Sequence, residues 1–143
     1  MKNPAILYPM FLLCAWTALV LMLVPIARFR AGFRGEVRVK DFRYGESQAV
    51  PGAVSIPNRN YMNLLELPVL FYVACLTLYV TGTSTTLALV LAWAFVALRI
   101  VHSAIHLTYN NVMHRLAAFA ASATVLVALW VVAFAAILDQ SQT

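Results

Sequence analysis

Four apolar stretches, each long enough to cross a lipid bilayer, constrain this chain more than any other feature of its sequence. They cover residues 5–27, 61–81, 86–107 and 116–138. A span needs about 20 mostly apolar residues, because the hydrocarbon layer is about 30 Å thick and a helix rises about 1.5 Å per residue. Hydrophobic residues make up 63% of the chain and charged residues 10%, too apolar a composition for a soluble domain. The sequence therefore predicts an all-α integral membrane four-helix bundle, a single domain over residues 1–143.

The first stretch has the features of a retained helix, not of a cleaved signal peptide. Its apolar run is longer than a signal core and ends in Arg28, Arg30 and Arg34, which is typical of a stop-transfer sequence. Both cysteines, Cys14 and Cys75, fall inside predicted spans. We therefore expect them to be small packing residues, and we predict neither a disulfide framework nor a metal site.

Basic residues concentrate in the connection between the first and second spans, residues 28–59. Seven of the ten lysines and arginines lie there, against three of the five acidic residues. The positive-inside rule predicts that this connection is cytoplasmic and that both termini lie on the opposite side. Its charge either only sets this topology or also attracts anionic headgroups or an acidic substrate. A nucleic-acid partner is not expected beside four membrane spans.

Polar residues inside the predicted spans form two stripes at helical spacing. In the second span, Arg59, Asn63 and Glu66 follow i, i+4, i+7 spacing and share one helix face. The third span carries a second stripe: Arg99, His102, Ser103, His106 and Asn110. With Arg28 and Arg115 at helix ends, all four spans present polar groups toward the cytoplasmic side. The outer halves carry mainly Thr17, Thr77, Thr81 and Trp16, which their own backbone or the membrane interface can satisfy.

Ionisable side chains at bilayer depth are costly, so each one is a candidate for function. One interpretation is a buried Glu66–Arg99 ion pair that fixes helix register while the histidines are inert. Another is a proton or solute path through Glu66, His102 and His106, although no polar residues continue to the outer face. The large number of cationic donors favours a third, a binding pocket for an anionic ligand that also carries an ammonium group. A thiol in such a ligand would form the nucleophilic thiolate beside an arginine.

The sequence resembles the MAPEG family, the membrane-associated proteins of eicosanoid and glutathione metabolism, over essentially its whole length. One anchor is the segment from Arg59 to Pro68, which is similar to the family's R-x3-N-x2-E pattern followed by proline. A second is Arg99-x2-His102, and Arg115 follows Arg99 by sixteen residues, where prostaglandin E synthase-like members place a glutathione-contacting arginine. The order and spacing of these motifs within four spans make the combination specific.

This resemblance implies a homotrimer that holds glutathione, as co-substrate, between neighbouring subunits near the cytoplasmic face. It implies a bacterial-type transferase or peroxidase of the inner membrane, acting on a lipophilic electrophile or hydroperoxide that arrives from the bilayer. Arg115 would be the catalytic residue that stabilises the thiolate. The residues implied to bind glutathione are Arg28, Arg59, Asn63, Glu66, Arg99 and His102.

The chain departs from the family pattern at one position of the third span. Several family enzymes have tyrosine four residues after the histidine, where this chain has His106. Tyr109 follows nearly one turn later, so we include both residues in the predicted glutathione site. The family also contains a lipid-binding member without enzymatic activity, the lipoxygenase-activating protein. A non-catalytic membrane lipid-binding or scaffold protein of the same fold is therefore the alternative prediction.

Overall fold

A computed structural model describes residues 3–140 and contains four helical segments long and apolar enough to cross a membrane. The prediction of an all-α four-helix membrane protein is confirmed. The first segment is a short 3-10 turn, Pro4–Ile6, that continues into α1, Leu7–Phe33. The second comprises α2, Gly52–Leu64, and α3, Leu67–Thr81, while the third and fourth are α4, Thr86–Leu107, and α5, Val112–Gln140.

The second segment is interrupted between α2 and α3, at Leu65 and Glu66. Pro68 has no backbone N–H to donate to the carbonyl of Leu64, and its ring crowds that carbonyl, which disfavours a continuous helix through the preceding turn. Glu66 accordingly has φ −88° and ψ −92°, outside the helical region. The Leu65 N–H instead bonds to the carbonyl of Met62 at 2.9 Å, a tighter closing turn. Glu66 is therefore displaced from the face that a continuous helix would give it.

A short turn joins α4 to α5 and determines which residues of the two helices meet. Asn110 has φ +49°, a left-handed conformation that asparagine tolerates, and its N–H bonds to the carbonyl of Ile105 at 2.8 Å. Asn111 then caps α5, because its Oδ1 accepts from the N–H groups of Met113 and His114 at 3.0 and 3.1 Å. The first turn of α5 thereby lies beside the last turns of α4.

The interior contains an apolar cluster and one buried polar network. Phe71 and Phe95 stack at the centre of the cluster, with ring centroids 4.6 Å apart. In the network, Ser103 Oγ accepts from Trp16 Nε1 at 2.9 Å and from Asn60 Nδ2 at 2.7 Å, which ties α1 and α2 to α4. Trp16 is thus satisfied in the interior and not by the membrane interface. Ser103, although it belongs to the polar stripe, is used for packing.

The basic connection is folded back against the end of α1. It contains a 3-10 turn, Val39–Phe42, and a small buried apolar cluster formed by Ala31, Val37, Val50 and Val54. Two ion pairs occur among residues 3–140, and both involve this region: Arg28–Glu46 at 3.1 Å and Arg34–Glu36 at 3.8 Å. The connection is therefore a folded part of the structure. It packs against α1 in addition to carrying the charges from which the topology was predicted.

Candidate functional site

Arg99, on α4, is the most deeply buried charged residue of the site, with 0% of the residue exposed. Its Nη2 donates to Asn63 twice, to the backbone carbonyl at 2.8 Å and to the side-chain Oδ1 at 2.5 Å. Its guanidinium carbon also lies 5.8 Å from the ring centroid of Phe119 on α5. The remaining nitrogens, Nε and Nη1, are buried and have no partner among the described residues. Arg99 therefore keeps two donor nitrogens that the described residues do not satisfy.

Asn63 lies between Arg99 and Glu66 and separates the two charges. Its amide oxygen faces Arg99, and its Nδ2 is 3.5 Å from Glu66 Oε2, an orientation that serves both neighbours. Neither ion pair in residues 3–140 joins Glu66 to Arg99. The ion pair weighed from the sequence does not form, because the break before Pro68 leaves the Glu66 carboxylate exposed. Glu66 remains free to receive a cation from a ligand.

His102 is held in one orientation by the start of α5. Its Nδ1 lies 3.0 Å from the backbone carbonyl of Arg115. A carbonyl oxygen only accepts, so Nδ1 must carry the proton, and in the neutral ring Nε2 then has a free lone pair. That Nε2 is buried without a partner in the described chain.

Arg115, half-buried on the first turn of α5, is only partly satisfied. Its Nη1 donates to Asn110 Oδ1 at 2.7 Å, which fixes the guanidinium beside the α4–α5 turn. Its Nε is buried and lacks a partner among residues 3–140. The side chain thus keeps both its positive charge and a free donor available next to His102.

His106 lies one helical turn after His102 and is 4% exposed. The two rings meet edge to face, with centroids 6.2 Å apart. The Nδ1 atom of His106 is buried and has no partner in the described part of the chain. The Arg115 guanidinium is bonded to Asn110, which follows His106 by four residues, and Arg59 is exposed on α2.

Five of the seven buried side-chain polar atoms without a partner in residues 3–140 belong to this group. They are Arg99 Nε and Nη1, His102 Nε2, His106 Nδ1 and Arg115 Nε. Folded proteins satisfy the large majority of their buried polar atoms, so a concentration of unsatisfied ones marks a place where a partner from outside the chain can bind. The facing ends of α2, α4 and α5 therefore form a polar, net-cationic site suited to an anionic ligand.

Comparison of the sequence with models of known protein families gives a match. The profile of the MAPEG family matches residues 6–135, which includes every residue of the site described above. The chain belongs to the MAPEG family. Members of this family are glutathione-dependent transferases and peroxidases or eicosanoid enzymes. Searches of curated proteins and of solved structures gave no significant match to the chain.

Arg28 of this MAPEG protein makes no recorded contact with the group of unsatisfied nitrogens, and its own contacts lie elsewhere. Its Nη2 bonds to Glu46 Oε1 at 3.1 Å, and its guanidinium lies over the ring of Phe42, 4.6 Å from the centroid. It also lines a cavity of about 630 Å³ between α1 and the folded connection. The other lining residues are mostly apolar: Val24, Pro25, Phe29, Gly32, Phe33, Val37, Arg38, Val39 and Phe42. Sequence reasoning missed this cavity, because the apolar residues of the connection are interspersed with charges and show no helical period.

Tyr109, the other member of the predicted set, is exposed on the α4–α5 turn. Its hydroxyl is 3.0 Å from Nδ1 of His114, a residue that is also exposed. None of its recorded contacts is with the five unsatisfied nitrogens. His106, and not Tyr109, is buried at this end of α4.

Proposed function

We propose that this MAPEG protein is a glutathione-dependent transferase or peroxidase that acts on a lipophilic electrophile or hydroperoxide. The observation that carries the proposal is the set of five buried, unsatisfied nitrogens at the ends of α4 and α5. Glutathione carries two carboxylates, one ammonium group and one thiol. Such a ligand matches the free donors of Arg99 and Arg115 and the exposed carboxylate of Glu66.

Each residue has a role that its surroundings support. Arg59 and Arg99 bind carboxylates, and Glu66 receives the ammonium group while Asn63 orients both Arg99 and Glu66. Arg115 is the catalytic residue, since its positive charge stabilises the thiolate that attacks the electrophile. His102 lines the peptide site with its free Nε2 lone pair.

The apolar cavity beside α1 is suited to the second substrate. Its volume of about 630 Å³ lies within the usual range for small-molecule sites, and its lining is mostly apolar. A hydrophobic molecule would reach it from the bilayer, with the Arg28 guanidinium at its polar wall. In the homotrimer that the family resemblance implies, glutathione lies between neighbouring subunits, so α1 of one subunit supplies Arg28 to the thiol site of another.

Filling the cavity should weaken use of the lipophilic substrate without affecting glutathione. Gly32 lines the cavity, and a Cβ built there meets nothing within 4 Å. We therefore expect Gly32→Phe to raise the KM for a lipophilic electrophile such as 1-chloro-2,4-dinitrobenzene by about tenfold or more, the scale on which apolar pockets discriminate size. Steady-state kinetics with each substrate varied in turn would measure this.

The matched control is Gly32→Ala, whose methyl group leaves most of the cavity open. It should keep both KM values close to those of the wild type. Unchanged KM values in Gly32→Phe would show that the electrophile binds elsewhere.

Glutathione binding tests the proposed function directly. The purified protein in detergent should bind glutathione saturably below millimolar concentration, as measured by equilibrium dialysis with labelled peptide. Glutathione with both carboxylates esterified is the matched control ligand and should bind far more weakly, because a neutral ester forms weaker hydrogen bonds with the Arg99 guanidinium than a carboxylate does. Absence of detectable glutathione binding at millimolar concentration would contradict the proposal.

The alternative function is non-catalytic lipid binding, or a scaffold role, on the same fold. A second apolar cavity, of about 500 Å³, favours it. This cavity lies between α3 and α5 and is lined by Leu67, Leu70, Ala123, Leu126, Val127, Trp130, Val131 and Phe134. A protein that copurifies with stoichiometric lipid and does not bind glutathione would support this alternative.

The proposed setting is the bacterial inner membrane, with the basic connection in the cytoplasm and both termini on the opposite side. The seven basic residues of the connection support this orientation through the positive-inside rule. Cytoplasmic glutathione would then have direct access to Glu66 and Arg59, both exposed at that end of the bundle.

A further inference from the structure

His106 has a buried nitrogen that nothing in the described chain satisfies. A neutral imidazole carries one N–H and one lone pair, so Nδ1 is either a donor or an acceptor that lacks its partner. With the proton on Nε2, the Nδ1 lone pair is free inside the site. An apolar side chain would fill the same position on α4 without this cost, so the residue type is suited to a task other than packing.

The charges around His106 separate its task from that of His102. The Arg115 guanidinium is bonded to Asn110, four residues after His106, whereas Arg99 lies three residues before His102 on α4. In the proposed function, Arg99 holds the peptide and Arg115 holds the thiolate. His106 therefore belongs to the thiol end of the site, and His102 to the peptide end.

Neither ion pair of residues 3–140 includes His106, and the ring nearest to it in the described contacts is that of His102, with centroids 6.2 Å apart. The described residues thus supply no carboxylate partner for an imidazolium at this position. A negative charge that arrives with the ligand would supply a partner. A thiolate next to Arg115 is such a charge.

We propose that His106 accepts the proton of the bound glutathione thiol, an inference that rests on the proposed function. The S–H bond breaks, the electron pair stays on sulfur, and the proton bonds to the free lone pair of the His106 imidazole. The products are a thiolate and an imidazolium side by side, the arrangement by which an adjacent base activates thiol nucleophiles. Arg115 shares the charge of the sulfur and holds it beside His106.

The fate of the thiol proton depends on whether His106 accepts it. If only Arg115 stabilised the thiolate, the thiol proton would leave to the solvent when glutathione binds. If His106 accepts it, the proton stays in the site although the thiolate forms. The number of protons released to solvent per thiolate formed therefore distinguishes stabilisation by Arg115 alone from proton transfer to His106.

The experiment combines two readouts on the trimer in detergent at a pH of about 7.5, where ordinary thiols are mostly protonated and ordinary imidazoles mostly neutral. Absorbance at about 240 nm counts thiolates, and titration calorimetry in two buffers of different ionisation enthalpy counts released protons. The wild type should release almost no proton to solvent per thiolate formed.

The variants His106→Gln and His106→Tyr should release about one proton per thiolate formed, because neither side chain accepts a proton at this pH. His114→Gln, which changes an exposed histidine at the start of α5, is the matched control and should behave as the wild type.

Each outcome has a definite meaning. Release of about one proton per thiolate by the wild type, or wild-type behaviour of both His106 variants, would overturn the role of His106. A variant that binds glutathione but forms no thiolate supports the role, since the thiol has lost its base. Absence of both binding heat and thiolate in the wild type would instead overturn the proposed function. Size-exclusion chromatography checks assembly, and His106→Tyr, which retains an aromatic ring, decides the question if His106→Gln does not assemble.

Discussion

Arg99→Leu is expected to lower the affinity for glutathione by about 30- to 4,000-fold, the effect of removing one partner from a buried, charge-assisted hydrogen bond. Arg99 is the fully buried cation of the site, and two of its nitrogens have no protein partner. Without them, a carboxylate entering the site would lose its hydration and gain no donor. Titration calorimetry or equilibrium dialysis would measure the change.

Loss of binding in this variant should not come from unfolding. Leucine leaves the carbonyl and Oδ1 of Asn63 without their donor, which should cost about 1–3 kcal/mol, less than the total stability of about 5–15 kcal/mol that is usual for a folded domain. Thermal unfolding in detergent and size-exclusion chromatography would check this. Arg99→Lys should also bind weakly, because a single ammonium nitrogen that donates to Asn63 cannot also offer a carboxylate the planar, two-nitrogen fork of a guanidinium. Arg30→Leu removes an exposed arginine of α1 and is the matched control. Wild-type affinity in Arg99→Leu would mean that glutathione, if bound at all, binds elsewhere.

Arg115→Ala is expected to lower kcat/KM by about 10²- to 10³-fold, the usual effect of losing one group that stabilises a developing negative charge. The affinity for glutathione should fall much less, because Arg99, Asn63 and Glu66 remain. The substitution removes the side-chain hydrogen bond to Asn110, but His102 bonds to the backbone carbonyl of residue 115 and not to its side chain. The orientation of His102 should therefore survive.

Thiolate absorbance and steady-state kinetics together test this second prediction. The absorbance at about 240 nm that accompanies glutathione binding should disappear in Arg115→Ala, because arginine favours the thiolate. Arg43→Ala is the control, as Arg43 is exposed in the connection and lies over the ring of Tyr44. An unchanged absorbance in Arg115→Ala would assign the thiolate to another residue.

The fold was largely predictable because hydropathy alone identifies segments that must be helical in a bilayer. The break between α2 and α3 was not predicted, although its cause, Pro68, is visible in the sequence. Spacing of i, i+4, i+7 assumes an uninterrupted helix, and the break changes the position of the last residue in that pattern, Glu66. The folding of the connection against α1 was also missed, since it depends on contacts such as Arg28–Glu46 between residues far apart in sequence.

The composition of the site was predictable to the level of helix faces. Spacing indicated that Arg99, His102 and His106 share one side of α4, and all three are buried there. It could not indicate which acceptor Arg99 would choose, since Asn63 and Glu66 were both within plausible reach. The tautomer of His102 depends on the backbone of another helix, which no helical periodicity reveals. Which acceptor each side chain bonds to depends on how the helices pack against one another, and this packing is known only from the structure.

A structure of the protein in lipid nanodiscs with glutathione would test most directly whether the five unsatisfied nitrogens form a glutathione site. The expected result is glutathione density between subunits, with its polar atoms within about 2.7–3.2 Å of the free nitrogens of Arg99 and Arg115. Its sulfur should lie beside His106. The contradicting result is a site without glutathione in which side chains of the neighbouring subunit, or a lipid headgroup, satisfy the same nitrogens.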